Sequence, residues 1–269
     1  MEDVKPVQVI MPGALERANV DSQVATAKQY PRDEVRAEEK AITLSTRTKE
    51  VADSCGYALT RGGKVISGPS VHLAKIIAHC WGNMRTETKV VEITPRQVVA
   101  RGTAWDLENN VASAWEVRRS IIDSKGRRYS EDMITVTGNA ASAIAYRNAV
   151  FSVVPETVTE RVYKACQKVL IGDLTGEDAM AKARVQAIDY FKNEYGITED
   201  EVLKLCRIET RNQIRENEIL LLRGIMQSLK DRDTTVEDLM KPIRKKEPEV
   251  EVKEKKETMK PKKKGVELP

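Results

Sequence analysis

The stretch Met84-Arg-Thr-Glu-Thr-Lys-Val-Val-Glu-Ile-Thr-Pro-Arg-Gln-Val-Val-Ala-Arg-Gly-Thr-Ala-Trp-Asp106, with Val111-Ala-Ser-Ala-Trp-Glu-Val-Arg-Arg-Ser120 and Asn139-Ala-Ala-Ser-Ala-Ile-Ala-Tyr-Arg-Asn-Ala-Val-Phe151 after it, decides the fold. Short apolar runs broken by Thr94-Pro95, Glu108-Asn109-Asn110 and Asp123-Ser124-Lys125-Gly126 read as three strands, at about 84–94, 96–107 and 111–122. A side-chain period of two puts Val98, Ala100, Gly102 and Ala104 on one face of the middle strand, and Ala112 and Ala114 on one face of the next. The segment from Asn139 to Phe151 is alanine-rich, reads as a helix and is closed off by Pro155. Small residues facing small residues allow a helix to approach a sheet closely if the faces of the two strands coincide. The length of the Asn109-Asn110 loop sets that register, and the sequence leaves it open.

Working outward, Gly68-Pro69-Ser70 starts a helix with Val71, Ala74, Ala78 and Trp81 at helical spacing, and Gly82-Asn83 stops it. Before it, Tyr57–Thr60 and Val65–Ser67 flank Arg61-Gly62-Gly63-Lys64, a hairpin with two glycines at its tip. A helix is expected from about Arg32 to Ser54 on the spacing of Val35, Ile42 and Val51, and another from Ala14 to Tyr30, ended by Pro31. Downstream, Val158, Val162, Cys166, Val169 and Leu170 form one helical stripe, and Met180, Ala183, Ala187 and Tyr190 another. Val202, Leu203, Ile214, Leu221, Ile225 and Leu229 mark a small, separate helical unit. The expected class is therefore α+β: a helix, a three-stranded antiparallel meander and a packing helix, with a C-terminal helical module and a disordered basic tail. The corresponding organisation is an N-terminal arm and helix at 1–31, the α+β core at 32–195, the helical module at 196–240 and the tail at 241–269.

Charge narrows the function. The chain of 269 residues carries a net +4, but residues 241–269 hold eleven Lys or Arg against six Glu, so the remainder is close to neutral. A nucleic-acid surface on the folded part must then be a local patch. No run approaches the roughly 18 apolar residues of a membrane helix. The N-terminus lacks a basic, apolar secretion signal, so a cytoplasmic location is expected. Cys55, Cys80, Cys166 and Cys206 form no CxxC pair, and the only histidines are His72 and His79, so no zinc site is expected.

Phosphate-binding motifs are missing: Arg61-Gly62-Gly63-Lys64 lacks the P-loop frame, and no GxGxxG occurs. Arg61 and Lys64 are read either as solvated residues of a hairpin tip or as DNA contacts. Asp106 and Glu116 offer a metal-dependent nuclease only a weak carboxylate pair, and neither histidine has a triad-like setting, so no catalytic residue, metal or cofactor is expected. The basic cluster Arg118-Arg119 and Lys125-Gly-Arg127-Arg128 lies on both sides of one turn. It suits phosphate binding without sequence preference, and it equally suits a charged sheet edge that resists aggregation. Trp105 and Trp115 are expected in the core. Tyr129 and Tyr146 are candidates for stacking on bases.

The order of these pieces resembles phage single-strand annealing proteins, the broad group of Red-beta, RecT, Erf and Sak types and their eukaryotic Rad relative. The likeness covers about residues 55–155: the helix from Gly68 to Asn83, the meander with Trp105-Asp-Leu-Glu and Glu116-Val-Arg-Arg, and the helix from Asn139 to Phe151. It implies ATP-independent binding and annealing of single-stranded DNA by a homo-oligomeric ring or filament, in the cytoplasm of a bacterial host. DNA would lie in a groove between the basic hairpin and the following helix. Arg118, Arg119, Arg127 and Arg128 match the hairpin and Arg147 the helix, where Tyr146-Arg147 stands in place of an adjacent basic pair. The resemblance also implies that the C-terminal module contacts a single-strand-binding protein or exonuclease. The alternatives are a plain single-strand-binding accessory protein that does not anneal, then a metal-dependent nuclease built on Asp106 and Glu116, and a structural or partner-docking module whose basic tail keeps it soluble.

Overall fold

The computed structural model describes residues 13–61, 64–123, 125–172, 174 and 176–244. Helix α1 (Ala14–Gln29) ends at the Tyr30-Pro31 step, where the residue before proline is held out of the helical region. The single helix expected from Arg32 to Ser54 is two, α2 (Glu34–Ser45) and α3 (Lys49–Ser54). Ser45 and Thr46 turn their hydroxyls back to the Ile42 carbonyl, and Thr48 caps the new helix by accepting from the Val51 amide at 3.3 Å. The buried face of α2 is Ala37, Ala41 and Ser45, while Val35 is 69% exposed.

Strands β1 (Gly56–Arg61) and β2 (Lys64–Pro69) form an antiparallel hairpin. Helix α4 (Val71–Trp81) follows, capped by the Ser70 hydroxyl, which accepts from the amides of His72 and Leu73. Next come β3 (Met84–Ile93), β4 (Gln97–Asp106) and β5 (Val111–Ser120), an antiparallel sheet in that order. The helices α5 (Glu131–Phe151), α6 (Glu156–Gly172), α7 (Glu177–Tyr195), α8 (Glu199–Cys206), α9 (Glu216–Lys230) and α10 (Val236–Arg244) complete an α+β fold.

The sheet and α5 meet through small residues. On β4, Val98, Ala100 and Ala104 are fully buried, as are Ala141, Ala145 and Ala149 of α5. A Cβ added at Gly102 would lie 2.4 Å from the carbonyl carbon and oxygen of Ala145, so only glycine fits there. The register decides which strand supplies the small face. Gly102 pairs with Trp115 and Ala104 with Ser113, so Ala112 and Ala114 stand opposite Trp105 and Thr103 on the other face. The small face thus belongs to β4 alone. Neither Trp105 nor Trp115 is a core residue as expected: Trp115 is 45% exposed and donates its indole N–H to the Ser152 hydroxyl at 2.7 Å, and Trp105 donates to Asn110 at 3.2 Å. The buried tryptophan is Trp81.

Helix α5 begins at Glu131 and not near Asn139. Its first turns carry Thr135, Val136 and Thr137, β-branched residues that look like strand in sequence. The hydroxyls of Thr135 and Thr137 bond to carbonyls one turn back, at 3.0 and 2.7 Å, and Ser130 caps the start.

The helices after residue 196 do not form a core of their own. Ile188 and Phe191 of α7 pack with Ile197, Leu205, Leu222 and Ile225, and Ala58 of β1 joins the same cluster. A second close approach fixes that join: a Cβ at Gly224 of α9 would lie 2.9 Å from the Ala58 amide nitrogen, and that amide donates to the Ser228 hydroxyl at 3.2 Å. The expected boundary at 240/241 also moves, because α10 continues to Arg244, whose guanidinium meets Glu201 at 2.7 Å. The expected loose arm before Ala14 and the tail from residue 245 lie outside the described residues. Among the described residues no helix is long and apolar enough to cross a membrane.

Replacing Gly102 by alanine should force α5 off the sheet, because the atoms it meets are backbone and cannot rotate away. We expect a loss of about 3 kcal/mol or more, at the upper end of overpacking costs, read from the denaturant midpoint. A loss under about 0.5 kcal/mol, the level of an ordinary surface change, would contradict the close approach.

Candidate nucleic-acid interface

The basic turn after β5 is built by one aspartate. The Asp123 carboxylate accepts from the amides of Lys125 and Arg127, each at 2.8 Å, and from the Arg127 guanidinium at 2.9 Å. Gly126 takes φ +80°, and an Ile122–Arg128 bridge closes the turn. The amide and guanidinium of Arg127 hold the Asp123 carboxyl below its ordinary range, with help from the Lys125 amide. Asp123 is thereby committed to the backbone, and Lys125, Arg127 and Arg128 project into solvent. Arg127 is 72% exposed, and Arg128 stands 3.7 Å from Glu131, too long for a tight pair.

Arg118 is exposed and pairs across the sheet with Val99, on the face away from α5. Arg119, its neighbour in sequence, lies across from Val98 on the opposite face. Its guanidinium donates to the Asp233 carbonyl at 2.7 Å, in the turn between α9 and α10. Arg147 of α5 is also turned inward: its side chain is 11% exposed, lies 4.2 Å over the Tyr57 ring, and approaches the Asp233 carboxylate at 4.0 Å. The expectation that Arg119 and Arg147 line an open groove is therefore corrected; both are occupied by the Asp231–Thr234 turn.

That turn is electrostatically crowded. His72 of α4 meets the Asp231 carboxylate at 3.1 Å, and Gln227 donates to the same oxygen at 2.9 Å. Burial raises Asp231, but these hydrogen bonds outweigh it and hold the group below its ordinary value. Asp233 behaves oppositely. Burial, reinforced by Asp231, pushes it from 3.8 up to about 6, against the opposing pull of Arg147, Arg119 and His72. One oxygen of each carboxylate is buried with no hydrogen-bond partner.

The remaining candidates fall elsewhere. The side chains of Arg61 and Lys64 lie outside the described residues. Tyr146 is half-buried against the Trp81 and Ala149 cluster, and Tyr129 is half-buried beside Ile134 and Ala141.

Comparison with protein-family models, with curated proteins and with solved structures finds no match.

Asp106 and Glu116 do not converge. Asp106 is buried in an ion pair with Arg32, whose guanidinium also meets Glu108 at 2.9 Å and lies 4.7 Å over the Trp81 ring. Glu116 faces the other side of the sheet and pairs with Arg101 at 2.6 Å. Among the described residues no group of three or more His, Cys, Asp or Glu side chains could hold a metal ion. All four cysteines are buried free thiols.

Sequence reading missed Arg32, His72, Asp231 and Asp233. The only local sign of the last two is the Asp231-Arg-Asp233 run where a helical stripe stops, and Asp233 lies 114 positions from Arg119.

The raised Asp233 carries a stability signature. Between about pH 4 and 6 the folded protein holds a proton that the unfolded chain has released, so the contribution of this group is greatest below that window and falls as pH rises through it. A shift from 3.8 to about 6 corresponds to about 3 kcal/mol at neutral pH. Asp233→Asn should therefore match the parent near pH 4 and exceed it by about 1–3 kcal/mol near pH 7.5, as measured by urea titration at both values. A variant less stable than the parent near pH 7.5 would show that the charged form is the favoured one.

Proposed function

We propose that this protein binds single-stranded DNA without sequence preference and promotes annealing of complementary strands without ATP. The observation that carries this reading is the exposed basic band on the sheet edge, Arg118 on β5 with Lys125, Arg127 and Arg128 on the turn that continues it. The carboxylate within that turn is already spent on amides and on Arg127. Phosphates attract such a band through charge and guanidinium forks, which carry no base information. Two like-charged strands can approach once their phosphates are neutralised, and base pairing then supplies the free energy.

Other features agree with the reading, whose setting we take to be the cytoplasm of a bacterial host. Free buried thiols suit a reducing compartment. Strand β3 is the other outer strand of the sheet and exposes Val90, Val91 and Ile93, an apolar surface suited to a second copy in a ring or filament. A single-strand-binding protein or exonuclease meeting the helices after residue 196 belongs to the same proposal. The competing reading of the basic band as mere edge protection also fits its place on an outer strand.

Replacing Arg118, Lys125, Arg127 and Arg128 together by alanine separates the two. We expect weaker binding of single strands and a salt dependence flattened by roughly 0.7 for each phosphate no longer neutralised. Thermal stability should hold, because exposed charges contribute about 0–1 kcal/mol each. Annealing of complementary oligonucleotides should slow in parallel. Arg119→Ala is expected to behave differently, losing about 1.5–3 kcal/mol of stability with its charged hydrogen bond. A quadruple variant that binds with the parent's affinity and slope but aggregates more readily would establish edge protection instead.

A further inference from the structure

Arg119 and Arg147 come from two different elements, β5 and α5, and converge on one turn. Arginines that serve only to hold such a turn would be expected to meet its carboxylate in short, forked pairs. Here Arg119 takes the backbone carbonyl, and Arg147 stands 4.0 Å from the carboxylate. The Asp233 side chain is only 6% exposed, and its Oδ1 has no hydrogen-bond partner. Around it stand Asp231 on its own turn, His72 on α4, Arg119 on β5 and Arg147 on α5. Tyr57 on β1 backs the Arg147 guanidinium. The result is an anion site with two guanidinium groups and an aromatic wall, filled by a carboxylate that fits it poorly.

We infer that the Asp231–Thr234 turn is an internal anion that masks Arg119 and Arg147, and that phosphates of single-stranded DNA displace it. This rests on the DNA-binding reading above and adds its regulation. A phosphate is the better occupant on chemical grounds, since its tetrahedral oxygens accept paired guanidinium donors that one misaligned carboxylate leaves unused. Displacement frees the turn between α9 and α10, so the same event would report DNA occupancy to the C-terminal helices. In the masked state only the exposed band Arg118, Lys125, Arg127 and Arg128 meets DNA.

The test uses the full chain and an oligothymidylate as probe. Titration near pH 7.5 across several salt concentrations should show Asp233→Asn, whose neutral amide the turn holds better, binding about fivefold or more weakly than the parent, with a slope shallower by roughly 0.7 for each arginine that stays masked. Adding Arg119→Ala and Arg147→Ala to that variant should lower affinity no further, since both are already masked. Asp233→Glu, which keeps the charge, should stay near the parent; an equal loss from both substitutions would mean disturbed packing and would overturn charge-driven displacement. On the unaltered protein, hydrogen exchange of the Asp233 amide, which donates to the Ser228 carbonyl at 2.9 Å, should accelerate when oligothymidylate is added. Unchanged exchange at saturating oligothymidylate refutes displacement even if a variant misfolds. Should the parent bind and Asp233→Asn bind just as tightly, masking fails while DNA binding stands. Should neither bind, both readings fail together.

Discussion

The close approach of Gly102 to the Ala145 backbone is the constraint on which the rest of the structure depends. A side chain at Gly102 would sit 2.4 Å from carbonyl atoms of α5, so the helix axis is set by backbone against backbone and not by side-chain fit. Ala141, Ala145 and Ala149 are fully buried along that line, with Ala100 and Ala104 facing them from β4. Such packing gains dispersion from many close atoms and costs little side-chain entropy, because alanine and glycine have none to lose. It also fixes where Arg147 emerges from the helix relative to β5, and hence which cations can share a ligand.

A second close approach, Gly224 against the Ala58 backbone, does for the C-terminal helices what Gly102 does for α5. It ties α9 to the hairpin, reinforced by the Ala58 amide donating to Ser228. Because α9 is held there, the turn at its end reaches His72, Arg119 and Arg147. Two backbone approaches in different parts of the chain thus set the geometry of a charged cluster. Arg32 adds a third tie: its guanidinium joins Asp106 and Glu108 while lying over Trp81, which pins the α1–α2 corner to the far end of β4.

The arginines show how burial sorts identical side chains into different work. Arg118 and Arg119 are neighbours, yet the strand period sends one to solvent and the other to a buried turn. Arg127 and Arg128 share a turn whose aspartate is consumed by its own amides. Exposure alone does not free a guanidinium, since Arg127 shares its own with Asp123 and Arg101 with Glu116. These pairs are open to solvent and exchangeable for phosphate, whereas the buried Arg32 and Arg147 each answer to a fixed acceptor or ring.

By itself the sequence determined the α+β class, the three strands, the hairpin, the cap and stop of α4, and the small-residue character of β4 and α5, because each is local: period, punctuation and capping act within a few residues. It missed the break at Thr46–Thr48 and the first turns of α5, where hydroxyl side chains bond to nearby backbone and disguise the helix signal. It marked the exposed basic turn as a candidate but could not separate Arg118 from Arg119 by function, since that depends on which face of the sheet is covered. Only the tertiary structure decided the register that leaves Ala112 and Ala114 off the helix face, the merging of α9 with the hairpin, and the meeting of Asp233 with Arg119 across 114 positions. Those outcomes come from loop closure and backbone approach between distant segments, for which no local pattern in the chain carries a signal.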